Sequence, residues 1–238
     1  MDGAWEFTSG TARTNWDDWS AIVQPVDATR PTQLVGSGPA SDAQRPWDIF
    51  SVEPQPKHAL EIEEAYARGE DVIAQYAQAE GDSFCFHLYW RNLPKIDQEQ
   101  CSLELWLGVQ TGLLDSRPEL HVTCCSEGDR WDKLMHSDLA DGSNLVDDGI
   151  NDSLAGYVCR RSDSVGLWLI EPSDQCHVSP VHTDSSGSAA VAIFDHFMEK
   201  GVIRRGRMRF HVFGSDASIE HFKAAYERFA TSDLPLTA

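Results

Sequence analysis

Residues 84–91 read Phe84-Cys-Phe-His-Leu-Tyr-Trp-Arg91, and residues 101–110 read Cys101-Ser-Leu-Glu-Leu-Trp-Leu-Gly-Val-Gln110. In an extended chain successive side chains point to opposite faces. The first run therefore puts Phe84, Phe86, Leu88 and Trp90 on one side, with Cys85, His87, Tyr89 and Arg91 on the other. The second puts Cys101, Leu103, Leu105, Leu107 and Val109 on one side, with Ser102, Glu104, Trp106 and Gln110 opposite. A period of two sustained through both runs marks strands with one buried face.

The same split recurs along the chain. Over 119–126, Leu120, Val122 and Cys124 face inward and His121 and Thr123 outward; over 207–214, Met208, Phe210 and Val212 stand against Arg207, Arg209 and His211. Further strands are expected at 21–26, 47–53, 58–67, 72–78, 156–161, 165–171 and 189–197. The segment 68–71 (Arg-Gly-Glu-Asp) reads as the turn of a hairpin. A helix over 60–68 competes, because Glu, Ala and Leu favour helix, but strand-turn-strand accounts for the run better. Short strands separated by Pro, Gly and Asp clusters point to a mostly β fold, an antiparallel β-sandwich of jelly-roll-like type. An amphipathic helix is expected at 216–231, with Ile219, Phe222, Ala225, Tyr226 and Phe229 on one face and Ser215 or Asp216 as its cap.

At about 150 residues per domain, 238 residues allow one domain or two. No linker stands out, so a single domain over 1–238 is expected. Residues 1–18 read as an N-terminal strap over the surface. Residues 126–156 read as a long acidic loop, with a short helix around 131–136. Asp138, Asp141, Asp147, Asp148 and Asp152 offer the oxygen ligands calcium prefers, but the EF-hand order is broken and no closing Glu follows. A solvated loop without metal is the expectation.

The chain carries 38 acidic and 19 basic residues, a net charge of −19. Such a field repels phosphate backbones and anionic lipid, so neither nucleic acid nor membrane is expected as a partner. The first ten residues carry no basic or apolar leader, and no CxxC pair occurs among the six cysteines. Reduced thiols in a cytoplasmic protein are expected. Neither a Walker sequence nor a Gly-x-Gly-x-x-Gly is present, so no cofactor is expected. Cys176, His177 and His182 with His121, Cys124 and Cys125 lack zinc-ligand spacing, and Asp195-His196 has no Gly-x-Ser-x-Gly elbow to complete a triad.

If the alternating strands share a sheet, its second face presents His87, Tyr89, Arg91, Glu104, Trp106, Gln110 and His121, with Arg207, Arg209 and His211. A plain solvated face is richer in Lys, Glu, Thr and Ser. Aromatic rings with Arg, Glu and Gln suit a carbohydrate or related polar small molecule, through stacking and planar hydrogen bonding. Trp106 and Tyr89 would stack; Arg91, Glu104, Gln110 and His87 would bond hydroxyls. The competing reading is that a loop or the C-terminal helix covers this face as a semi-polar second core. Lys200, Arg204, Arg205, Arg207 and Arg209 form a local basic run, which could bind a carboxylate or phosphate through bidentate arginine but is read in preference as a hairpin edge pairing with neighbouring acids. The function expected is a polar-ligand binding module. Alternatives are a sugar-active enzyme using Glu104 with His87 or His121 as acid and base, and an interaction domain docking through strap and acidic loop. No catalytic residue is assigned, and the oligomeric state is left open.

Overall fold

The computed structural model describes residues 4–37, 45–78, 84–94, 98–139, 153–171, 178–182 and 187–233. Within them, two eight-stranded antiparallel sheets stack face to face, followed by a C-terminal helix. The first sheet runs, in spatial order, β1 (Glu6–Thr8), β2 (Thr11–Trp16), β3 (Trp19–Val23), β4 (Thr32–Gly36), β5 (Trp47–Gln55), β10 (Glu119–Cys125), β15 (Ser188–Phe194) and β14 (Val178–Val181). The second runs β11 (Trp131–Met135), β12 (Leu154–Arg160), β13 (Ser164–Ile170), β16 (Ile203–Gly214), β9 (Glu99–Gln110), β8 (Cys85–Asn92), β7 (Asp71–Tyr76) and β6 (Ile62–Arg68). The helices are α1 (His136–Leu139) and α2 (Ile219–Thr231).

Strands β4 and β14 were not among the expected ones, and two expected segments also differ from the sequence reading. The expected strap contains paired strands: β2 buries Ala12, Thr14 and Trp16 and exposes Arg13 and Asn15, a period of two disguised because its middle inward residue is a threonine. The expected acidic loop contains β11, which pairs along β12, with α1 starting only at His136. Asp132 and Lys133 are exposed, which an outermost strand tolerates. Residues 140–152, with most of the candidate calcium ligands, lie outside the described residues, as do Cys176 and His177.

The inward residues of both sheets form the main core, in which Trp47, Ile49, Val52, Leu120 and Val122 meet Leu103, Leu105, Leu107, Trp168 and Phe210. Gly166 lets the two sheets fit closely, since a Cβ there would lie 2.8 Å from both the Phe210 and Trp47 rings. The Arg161 guanidinium lies 3.5 Å over the Trp47 ring and donates to the carbonyls of Arg45 and Pro46, closing that end of the core.

A second, smaller core lies on the outer face of the second sheet. There Val165, Leu167, Leu169 and Phe213 pack against Phe222, Ala225, Tyr226 and Phe229 of α2. Ile219, expected on the same helical face, is 39% exposed. The N-cap is Ser218 and not Ser215 or Asp216; its N–H donates to His221 Nδ1 at 2.9 Å. The chain needs residues 214–217 for a turn, in which the Ala217 N–H donates to the Gly214 carbonyl.

Candidate ligand-binding face

The register across the second sheet defines the rows of its outer face. One row runs Tyr66, Ile73, Tyr89, Trp106, Arg207. The next, on one side, runs Arg68, Asp71, Arg91, Glu104, Arg209; on the other it runs Glu64, Gln75, His87, Gly108, Arg205. Nine of the ten residues singled out in the sequence therefore share this sheet. His121 does not: it lies on β10 of the first sheet, paired across to Glu53 and Ala192, with Nε2 2.8 Å from Glu119 Oε1. Local alternation assigns a residue to a face, but sheet membership is decided by tertiary pairing.

Helix α2 divides the nine. Glu104, Arg207, Arg209 and His211 are each buried. Arg209 donates to Glu104 Oε2 from Nη2 at 2.6 Å and from Nε at 3.0 Å. Arg207 donates to Glu171 Oε2 at 2.6 Å and to the Phe229 carbonyl of α2 at 2.8 Å. His211 Nδ1 lies 3.2 Å from Glu99 Oε1, and Arg228 of α2 donates to that oxygen at 2.7 Å. Burial pulls the His211 pKa below its ordinary value. Burial would raise that of Glu99, but the neighbouring His211 and Arg228 outweigh it and hold the carboxyl low. These groups are a closed ion network beneath the helix. Glu104, 2% exposed and shared between a guanidinium and an indole, is not placed to exchange a proton with a substrate.

His87, Tyr89, Arg91, Trp106 and Gln110 lie beyond the helix and are half-buried. They are held from below. Trp106 Nε1 donates to Glu104 Oε1 at 2.6 Å, so the buried network orients the indole. Arg91 stands 4.9 Å over the Trp106 ring and is fixed by a two-pronged pair to Asp71, at 2.7 Å and 2.9 Å. The Asp71 hydrogen bond raises the Arg91 pKa, keeping it charged. Tyr89 lies beside the indole, ring centroids 6.4 Å apart. Burial lowers the His87 pKa, opposed by Glu63 and reinforced by Arg205; Glu63 itself accepts a hydrogen bond from Gln75.

Asp71, which anchors Arg91, escaped the sequence reading of this face, as did Gly108 beside Trp106, and Arg205 was read only as part of the basic run. The last two were within reach, because Gly108 interrupts the alternating run on its polar side and Arg205 is in phase with Arg207. The basic run divides too: Arg207 and Arg209 pair with acids, whereas Lys200, Arg204 and Arg205 are exposed.

A separate cleft of about 300 Å³ lies where the β11–β12 and β14–β15 margins face each other, lined by Trp131, Lys133, Tyr157 and His182 among others. Among the described residues no group of His, Cys, Asp or Glu is arranged to hold a metal ion, and Cys85, Cys101, Cys124, Cys125 and Cys159 are not in disulfides.

No family model matches the chain, and none of the curated proteins does. Solved structures resemble it in fold. A human-microbiome protein described as a kojibiose phosphorylase aligns at 5% identity and TM-score 0.49, over 96% of this chain and 33% of its own. The heparan sulfate lyase HepC of Pedobacter heparinus aligns at 7% identity and TM-score 0.49, over 91% of this chain and 36% of its own. This chain thus spans about a third of the length of those proteins, and it is a β-sandwich that resembles, at low identity, parts of carbohydrate-active proteins.

Proposed function

We propose that the chain is a binding module for a carbohydrate or a closely related polar ligand, with Trp106 as the stacking platform. The observation that carries this reading is the support beneath the indole: Trp106 Nε1 donates to Glu104 and Arg91 stands over one side of the ring, so a half-buried indole is held in place. A pre-oriented aromatic ring offers an apolar surface to sugar C–H groups without losing side-chain freedom on binding. His87 and Gln110 supply planar hydrogen-bonding groups next to it.

Glycan-array screening followed by calorimetry tests the proposal. The expected result is binding of a soluble oligosaccharide that Trp106→Ala abolishes while the melting curve stays cooperative. A protein that binds no glycan, or whose Trp106→Ala variant binds unchanged, removes it.

A further inference from the structure

We propose that the cleft between the β11–β12 and β14–β15 margins binds a small ring-bearing carboxylate, with the ring inside against Trp131 and the carboxylate at the mouth on Lys133 and His182. The cleft holds about 300 Å³, at the small end of the range of about 300–1,000 Å³ for small-molecule sites. It is separate from the Trp106 face. Its walls are the core-facing sides of both sheets where they part, whereas Trp106 stands on the outer face of the second sheet.

Strand pairing places a charge where apolar packing would be expected. Trp131 pairs with Cys159 and Lys133 with Tyr157. Cys159 and Tyr157 belong to the main core, whereas Val158, opposite Asp132, belongs to the core beneath α2. Lys133 therefore holds a core-facing position on the outermost strand. Across the gap, Pro180 pairs with Val191 of the main core, and His182, two residues further on, lines the opening. The opposite margin of the sandwich is closed by apolar groups: Trp5, Phe7, Leu60 and Ile62 pack on the core there, and Trp5 Nε1 donates to the Glu70 carbonyl. An inward charge on an outermost strand deters pairing with other chains, but that role needs neither a cavity nor a second polar group across it.

The walls set the chemistry of the occupant. Trp131 is half-buried; its Nε1 donates to the Gly187 carbonyl at 3.1 Å and its ring meets Trp47 edge-on, centroids 6.2 Å apart, so the indole is held in one orientation. Tyr157 stacks on Trp168 at 5.5 Å, and its hydroxyl lies 3.5 Å from the Ala190 carbonyl, the long limit of a hydrogen bond. Burial pushes the Tyr157 pKa up to about 12, so the hydroxyl stays protonated. Lys133 and His182 are exposed, and neither forms an ion pair among the described residues. Lysine, tyrosine and histidine all donate hydrogen bonds, and no Asp or Glu lines the cleft, so a ligand that brings the acceptors is favoured. Asp132 turns to the other side of β11 and pairs with Arg130 at 2.7 Å. The chain's charge of −19 acts from further off and is screened over about 8 Å at physiological salt, which leaves the adjacent lysine to set the preference.

The test titrates two matched pairs into the full chain and follows them by two-dimensional NMR: glucuronate against glucose, and benzoate against benzyl alcohol. At least one acid is expected to bind about tenfold or more tightly than its neutral partner, the effect of one charge-assisted contact, and to shift the Trp131 indole N–H signal. Lys133→Gln, at an exposed position, is expected to remove that preference, and Trp106→Ala to leave it intact. The pair that shows the preference separates a sugar acid from an aromatic acid. Equal affinity within both pairs, no binding of either acid at millimolar concentration, or a preference that survives Lys133→Gln overturns the proposal. Loss of the preference in Trp106→Ala also overturns it, by assigning the acid to the outer face; the Trp106 platform itself stands or falls on its own glycan test.

Discussion

The Arg207 guanidinium donates to the Phe229 carbonyl at 2.8 Å and lies 4.5 Å from the centre of the Phe229 ring, tying β16 to the last turn of α2. The bond occupies one of the carbonyls a helix leaves unpaired at its C-terminal end. The same guanidinium neutralises the buried Glu171. Arg207→Met is expected to lower stability by about 3–5 kcal/mol, because it removes the buried guanidinium beside the Glu171 carboxylate and the bond to the Phe229 carbonyl. Urea denaturation measures it; an unchanged midpoint would mean that the tie contributes nothing to the fold.

Removal of α2 is expected to be more severe. Phe222, Tyr226 and Phe229 are 2%, 7% and 0% exposed, and each buried aromatic contributes about 1.5–3 kcal/mol against a total stability of about 5–15 kcal/mol. A chain ending before Ser215 also bares Val165, Leu167, Leu169 and Phe213. Such a chain is expected to aggregate or to lose its cooperative melting transition, as seen by size-exclusion chromatography and circular dichroism. A soluble truncated chain with an unchanged melting temperature would show that the helix is not integral.

Acidification is expected to weaken the fold through His211. Its folded pKa lies below the unfolded value near 6.5, because burial disfavours the imidazolium. Between those two values the unfolded chain binds the extra proton, so stability is full above about pH 6.5 and falls as pH drops, with a slope of up to about 1.4 kcal/mol per pH unit. Glu99, held low beside it, adds loss of the same sign at more acidic pH. The Arg209 and Arg228 guanidinium groups also face the imidazole and add to the lowering of its pKa. Denaturant midpoints taken from about pH 7.5 to about pH 5 check this, and His211→Gln should flatten the upper part of the curve. An equally steep curve in that variant would locate the titration elsewhere.

Two glycines of one sheet should respond in opposite directions to alanine. At Gly166 the new methyl would stand 2.8 Å from two buried rings, so Gly166→Ala is expected to cost about 1–3 kcal/mol. At Gly108 it makes only ordinary contacts, 3.9 Å from His87 Cβ and 4.0 Å from the Arg204 carbonyl, on an ordinary strand backbone, so Gly108→Ala should be neutral or stabilise by about 0.4–1 kcal/mol. Thermal melts of both variants decide this, and a destabilising Gly108→Ala would mean that the strand requires the glycine for its own sake.

The strands that carry a large apolar residue at every second position, such as β8 and β16, were legible in the sequence, and so was the amphipathic helix. Strand β2 was not, because Ala12 and Thr14 are small or polar yet wholly buried. Nor was β11, whose Asp132 and Lys133 belong to an outermost strand. The candidate face was legible as a pattern but not as an extent. Glu104, Arg209 and His211 carry the same residue types as an open polar surface, and only the docking of α2 turns them into interior ion pairs. His121 shows the other limit of local pattern: its alternation matches that of His87, and its sheet does not.

The longest ladder in the molecule joins β9 to β16, eleven residue pairs from Ile203–Gln110 to Phe213–Glu99. About a hundred residues of chain separate its two sides, so closing it carries a large loop-closure entropy. Strands β6 to β9 follow one another as hairpins and are free to form as soon as they leave the ribosome. Until β16 emerges, β9 is an open edge bearing Leu103, Leu105 and Leu107, the kind of surface that recruits strands from other chains. The hazard for this protein therefore falls during its synthesis, in the interval between translation of Gln110 and translation of Phe213.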